Sequence, residues 1–216
     1  MTRLALFSVA VALAAASLDV AIGLPLAYLL GRRRFPGRRA LEAILCLPLV
    51  LPPTVTGFAL LVLFGHRGVL GLALDRAFGL TVPFTPAANV LAAATVAFPL
   101  FLRTARAAIE AVPAEHVLDA RALGLSPWRA ATRVVLPLAS RGLWAGAALA
   151  VGRALGEFGA TLMLAGDVPG RTQTLSLGVF DAALRGNDGR AAALSLLLVA
   201  ISFALLLPAS ALERAR

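Results

Sequence analysis

The side chains best placed to do chemistry in this sequence are ionisable groups set inside apolar runs. Burying a charge in hydrocarbon is costly and is tolerated where the charge is paired or used. Arg153 and Glu157 lie four residues apart in one such run, a spacing that puts both on one face of a helix. Two readings stand for them, a structural ion pair or a gate on a polar pathway. Asp19 is a lone acid in the first apolar run, where facing water or a polar neighbour is expected rather than catalysis. His66 and His116 fall on predicted opposite sides of the membrane, and no acids recur at metal-ligand spacing. Cys46 is the single cysteine and reads as a small buried hydrophobe. These residues make neither a catalytic constellation nor a metal site. A phosphate-binding P-loop needs a lysine against the β- and γ-phosphates, and all 20 basic residues here are arginine. The chain is therefore expected not to be an enzyme and not to hold ATP.

The elements that carry these side chains are long and apolar. Of 216 residues, 60% are hydrophobic and 14% charged, and the mean hydropathy is +0.88. Soluble domains run at about 45–50% apolar and about 25% charged, so the excess calls for a second apolar phase. Five segments approach the ~20-residue spanning length: Leu4–Leu30, Leu41–Phe64, Ala87–Leu102, Leu136–Ala165 and Ala191–Pro208. The stretch Thr174–Leu184 is apolar enough for a short re-entrant or interfacial helix, a sixth membrane element. The first run has a basic flank at Arg3 and small residues at Ala14–Ala16, as a signal peptide would. Its length and the Arg32–Arg34 and Arg38–Arg39 cluster behind it favour a retained helix. The expected fold is all-α, a polytopic helical membrane protein with residues 1–216 forming a single transmembrane domain.

The net charge of +9 reads as topology rather than as a nucleic-acid surface. The arginines sit mainly between apolar runs, and aromatics, the stacking platforms for bases, make up only 6%. Placing the 31–40 loop, the 103–135 loop with Arg141, and the C-terminal tail with Arg214 and Arg216 on one side gathers most of the arginines there. That side is cytoplasmic by the positive-inside rule, which puts the N-terminus outside and the C-terminus inside.

The 103–135 connection reads as two short helices with a sharp break. Pro113 suits a first turn, Ala114–Leu123 are good helix formers, and Gly124 suits a left-handed C-terminal cap. Ser126 offers an N-cap and Pro127 the first position of the next helix. That helix is expected to continue through Arg129 to Val135 until Pro137 opens the fourth span. Such a pair either lies on anionic lipid or docks a cytoplasmic partner.

Spacing in this loop resembles the signature of ABC importer permeases: Glu-Ala-Ala, three residues, Gly, nine residues, Ile, one residue, Leu-Pro. Here Ala120 matches the second Ala, and Gly124 is followed by nine residues and then Val134-Val135-Leu136-Pro137. Leu118 stands at the usual Glu position, and Asp119 and Glu115 are the two candidates for the acid. Leu47–Gly57, with Pro52, Pro53, Thr54 and Thr56, is similar to molybdate-type permeases. So are Arg153–Thr161 and Gly166–Thr174, the latter with Arg171, Thr172 and Thr174. Sulfate permeases share the Leu-Gly-Glu-Phe-Gly core of the fourth span.

The resemblance implies a type I importer permease of the bacterial cytoplasmic membrane that moves an oxyanion, molybdate before tungstate or sulfate. It also implies two ATP-binding cassette subunits that hold the ATP–Mg, an extracytoplasmic oxyanion-binding protein and a second copy of the chain. On its terms Glu115, Asp119, Ala120, Gly124, Ser126, Pro127, Arg129 and Pro137 belong to the ATPase-coupling loop. Pro52, Pro53, Thr54, Thr56, Arg153, Glu157, Arg171, Thr172 and Thr174 belong to the path or gate. The Pro52-Pro53 pair fits a broken helix lining a path, and Gly142 with Gly146 fits close helix packing or a dimer seam. The rivals are an ion-coupled secondary anion transporter relaying through Asp19 or Glu157, a small membrane enzyme, and a plain helical anchor.

Overall fold

The computed structural model describes residues 1–214, with Leu206 and residues 208–214 described by backbone alone. Arg216, counted above with the cytoplasmic arginines, lies outside the described residues. The described chain is helical throughout: α1 (Thr2–Arg32), α2 (Arg38–Val50), α3 (Pro53–Phe64), α4 (Val69–Phe78), α5 (Pro86–Glu110), α6 (Ala114–Ala122), α7 (Pro127–Ala130), a π-helical segment (Ala131–Val135), α8 (Leu136–Leu155), α9 (Gly159–Ala165), α10 (Leu175–Leu184) and α11 (Asp188–Arg214).

Among the described residues four stretches are long and apolar enough to cross a membrane: α1, α5, the run Pro127–Leu155, and Asp188–Leu205 of α11. The pair α2–α3 makes a fifth if taken as one span, and it is bent by 115°. Adjacent prolines explain the bend. Each lacks an N–H, and Pro53 forces its predecessor out of the helical region, so Leu51 and Pro52 are extended. The second span expected over Leu41–Phe64, with an interruption at Pro52-Pro53, is accordingly two half-helices. The expected fourth span is broken too, at Gly156–Phe158 between α8 and α9. Its start also differs from expectation, because α7, the π segment and α8 run on without a gap and Pro137 opens nothing. Leu136 N–H donates to Ala131, five residues back. Pro137 has no N–H to offer, and its ring crowds the carbonyl four residues before it. A wider turn just ahead of it relieves both.

The core lies where α1, α5 and α8 pack together, and it is built largely of alanine. Ala12, Ala15, Ala27, Ala93, Ala97, Ala105 and Ala150 are buried, with Phe101, Leu102, Leu30 and Ile109 as the bulky fillers. Small residues let helix backbones approach where lipid supplies no hydrophobic drive between them. A Cβ at Gly142 would stand 2.4 Å from Ala108 Cβ on α5, and Gly146 faces Thr104. Both glycines thus serve packing within the chain rather than a dimer seam. Large apolar side chains point outward instead, among them Leu6, Leu13, Val62, Leu196, Val199 and Phe203, as expected of surfaces that meet lipid or another apolar subunit.

Candidate functional site

The two interrupted spans meet at their interruptions. α3 packs along α9, and the contact is backbone-close: a Cβ at Gly57 would lie 2.6 Å from Ala160 Cα, and one at Gly159 3.1 Å from Pro53 Cβ. Leu60 on α3, Ala88, Ala92 and Val96 on α5, and Ala160 and Leu164 on α9 close a second small core behind this seam. The first turns of α3 and α9 thus begin side by side, partway along their spans. The positive ends of such half-helices favour a negative charge nearby.

Glu157 sits in the α8–α9 break, with its side chain only 1% exposed. Its Oε1 accepts from Ala160 N at 2.8 Å, capping α9. Its Oε2 lies 2.8 Å from Arg153 Nη1. The ion pair read from the i, i+4 spacing is present, and the acid also holds the first turn of α9, which spacing did not reveal. Pro52 and Thr54 are exposed at the α2–α3 break. Thr56 is buried, and its hydroxyl has no partner. Asp19 departs from expectation: it is 2% exposed, and its Oδ2 has no partner. It borders a largely apolar groove formed with Ile22, Leu45, Pro48, Thr95 and Phe98.

Gly166–Thr174 folds on itself. Thr172 Oγ1 accepts from Val168 N at 3.1 Å and donates to Gly166 O at 3.0 Å. Thr174 Oγ1 accepts from Leu177 N and so caps α10. Both threonines are buried, so their hydroxyls are spent on the loop, and Arg171 is its exposed donor. Asn89 on α5 ties the loop down, Nδ2 donating to Thr172 O at 3.1 Å. Sequence reasoning missed Asn89, although a lone carboxamide in an alanine-rich span was the available signal. Burial raises the Asp167 carboxyl above its usual range, and a hydrogen bond from Gln173 pulls it partly back.

At the other end of the spans, α6 and α7 form the expected helix–turn–helix. Gly124 takes φ +86°, and Leu125 N donates to Ala120 O at 3.0 Å, the closing bond of a Schellman cap. Ser126 Oγ accepts from Arg129 N, capping α7. Glu115 and Asp119 are exposed and lie four apart on α6. Leu118 and Leu123 are 66% and 82% exposed, and Trp128 is 76% exposed. Ala120 alone of the motif residues on α6 turns inward. A second charged cluster, whose arginines the sequence marked as topology signals without their partners, anchors the root of this element. Arg38 Nη2 meets Glu110 Oε1 at 2.7 Å, Arg106 pairs with both Glu42 and Glu110, and Arg32 Nη2 donates to Val112 O at 2.7 Å. Among the described residues no group of three or more His, Cys, Asp or Glu could hold a metal.

Residues 23–215 match the family described as the binding-protein-dependent transport system inner membrane component. The chain is 39% identical over 203 residues to the molybdenum transport system permease protein ModB of Escherichia coli K12, covering 92% of this chain and 88% of that one. It is 43% identical over 177 residues to the putative molybdenum permease YvgM of Bacillus subtilis, covering 82% and 78%. The sulfate permease CysT of E. coli K12 is 36% identical over 191 residues, covering 88% and 69%. Among solved structures, an inward-facing MetNI methionine ABC transporter superposes with a TM-score of 0.76 at 19% identity, over 100% of this chain and 95% of that one.

Proposed function

This chain belongs to the family of binding-protein-dependent transport system inner membrane components, and from that premise we propose that it carries molybdate, in preference to tungstate or sulfate, across the bacterial cytoplasmic membrane. It is a permease subunit of an ABC importer for an oxyanion, a transport subunit whose family works with ATPase and substrate-binding partners and as a dimer. In our reading residues 1–216 act as one transmembrane unit, with the N-terminus outside and the C-terminus in the cytoplasm. Two copies pair with two ATP-binding cassette subunits, which hold the ATP–Mg. An extracytoplasmic binding protein delivers the anion. No cofactor is bound by this chain.

The observation that carries the reading is the exposed α6–turn–α7 element, which continues unbroken through the π segment into a spanning helix. Force applied at α6 passes along a rigid rod to the α8–α9 break. We assign Glu115 and Asp119, on either side of exposed Leu118, to contact with the ATPase. Ala120 and Gly124 shape the turn, and Ser126, Pro127 and Arg129 start the rod. Pro137 sets the wide turn within it. ATP-driven closure of the ATPases draws these elements together and opens the path outward. Hydrolysis reverses the movement.

The path itself we place at the paired breaks. Pro52 and Pro53 interrupt one span there, and Glu157, neutralised by Arg153, holds the interruption of the other. Thr54 and Thr56 supply hydroxyls beside half-helix N-termini, a setting suited to an anion. Arg171 offers an outward-facing donor, while Thr172 and Thr174 fix the loop that presents it.

The test is ATPase activity of the reconstituted permease, ATPase and binding protein with molybdate, tungstate, sulfate or no anion. Molybdate stimulation that is lost in Gly124→Val, with membrane insertion intact, supports the reading. Stimulation by sulfate alone overturns the substrate. Anion transport by the permease alone, without any complex, would replace it with a secondary transporter.

A further inference from the structure

A groove of about 470 Å³ runs between the last turns of α1 and the α7–π–α8 rod. Its floor is apolar, with Leu24 and Pro25 on one side and Leu136 on the other. Four polar side chains also line it: Tyr28, Arg33, Trp128 and Thr132, the last with its hydroxyl already donated to Trp128 O. Among the described residues Arg33 makes no ion pair, and the side chains of Tyr28 and Trp128 make no hydrogen bond. None of the lining residues is acidic, and Arg33 and Trp128 are exposed, so a cation and two neutral donors are free to meet a ligand beside one apolar slot.

The dimensions narrow the occupant. From Leu24 to Arg33 the chain rises roughly 14 Å at ~1.5 Å per residue, close to the ~15 Å of hydrocarbon in one leaflet. Tyrosine and tryptophan settle at the level of lipid headgroups, and basic clusters at a membrane face draw anionic lipid. Arg32, Arg34, Arg38 and Arg39 surround Arg33 in sequence. Charge complementarity and depth together select a molecule with an acyl chain and a negative head.

We propose that this groove binds one anionic phospholipid, its phosphate held by Arg33 and hydrogen-bonded by Tyr28 and Trp128, with an acyl chain along Leu24, Pro25 and Leu136. Because the groove is walled by the π segment and α7, the lipid tethers the coupling rod to α1. The inference rests on the reading of the chain as a membrane permease, and its test reports on that reading separately.

The permease–ATPase complex in detergent, and the permease alone in parallel, are titrated with phosphatidylglycerol or phosphatidylcholine. Retained lipid is counted by native mass spectrometry for the wild type, Arg33→Ala, and Arg34→Ala as an exposed arginine outside the groove. The expected result is one phosphatidylglycerol retained in preference to phosphatidylcholine. That preference falls about fivefold in Arg33→Ala, the effect of ~1 kcal/mol per basic residue at an anionic surface, and is unchanged in Arg34→Ala. Equal retention of the two lipids overturns the proposal, as does an equal loss in both variants, which would mean diffuse charge. Expulsion of the lipid when the ATPase binds would give the groove to that subunit. Loss of the permease dimer in Arg33→Ala, in place of loss of lipid, would give it to a second copy. Failure of the complex to form counts against the permease reading alone, and the permease titration still decides the lipid.

Discussion

Gly124 has open space where a Cβ would go and a φ of +86°, so substitution there is opposed by backbone conformation and not by packing. Asparagine tolerates the left-handed region, whereas a β-branched residue pays ~1–2 kcal/mol for it. Gly124→Asn should keep most anion-stimulated ATPase activity, and Gly124→Val should uncouple the complex while leaving the amount of inserted permease unchanged. Equal activity of the two variants would remove the turn from the coupling mechanism. Glu157 allows a finer dissection because its two oxygens do different work. Glu157→Gln retains an acceptor for Ala160 N and loses the charge. Glu157→Ala loses both, and should lower stability in detergent by about 3 kcal/mol, the low end for breaking a buried pair, because Arg153 is 29% exposed. A thermal-melt series in which the glutamine variant is as unstable as the alanine variant would show that the cap on α9 contributes nothing. The Arg153–Glu157 pairing was legible in the sequence because i, i+4 spacing fixes it within one helix. The cap was not legible, because it depends on where that helix stops.

At the level of elements, the molecule turns on two broken spans held edge to edge. Gly57 is the tighter of the two glycines in the α3–α9 seam: an added Cβ meets Ala160 Cα at 2.6 Å, Ala160 O at 2.8 Å and Met163 Cβ at 2.8 Å. Backbone cannot yield as a flexible side chain does, so Gly57→Val should push α3 off α9. Molybdate uptake into vesicles should fall at least tenfold, a barrier change of ~1.4 kcal/mol, with insertion preserved. Uptake within twofold of wild type would detach the seam from the path. The prolines announced the first break from the sequence alone, since Pro52-Pro53 cannot continue a helix. The second break, at Gly156–Phe158, carries no proline and looked like uninterrupted span. There the Glu157 carboxylate takes over from the helix backbone, a choice made by packing against α3. Pro137 was misread for a related reason. A proline near a helix start suits a first turn, but the chain before it was already helical, and widening one turn accommodated the ring.

For the whole molecule the open quantity is orientation, argued from arginine distribution. In a Cys46→Ser background, His116→Cys on α6 should react with an impermeant maleimide only after the vesicles are opened on the cytoplasmic side. Val168→Cys in the loop after α9 should react from outside, since Val168 is 39% exposed. The reverse pattern would invert the topology and move α6–α7 away from any cytoplasmic ATPase. The inside-out burial also has a consequence at this scale. Bulky apolar side chains face outward over α1, α3 and α11 while alanines fill the centre, so the isolated chain is complete only in lipid or against another apolar subunit.

The sequence by itself determined what depends on local chemistry: which runs are apolar enough to leave water, where Gly and Pro forbid a helix to continue, and which cap starts α7. It also determined what the chain lacks, because a lysine-free sequence cannot build a P-loop. The tertiary structure alone decided what depends on residues far apart in the chain. It set the break of α2–α3 against that of α8–α9, spent Thr172 on its own loop under Asn89, and joined Arg32 to Val112 at the root of α6. Short-range sterics and hydrogen bonding act within a turn or two and are written into neighbouring residues. Helix-to-helix contacts join side chains tens of positions apart, 72 for Arg38–Glu110, and no local pattern records which helix face will meet which.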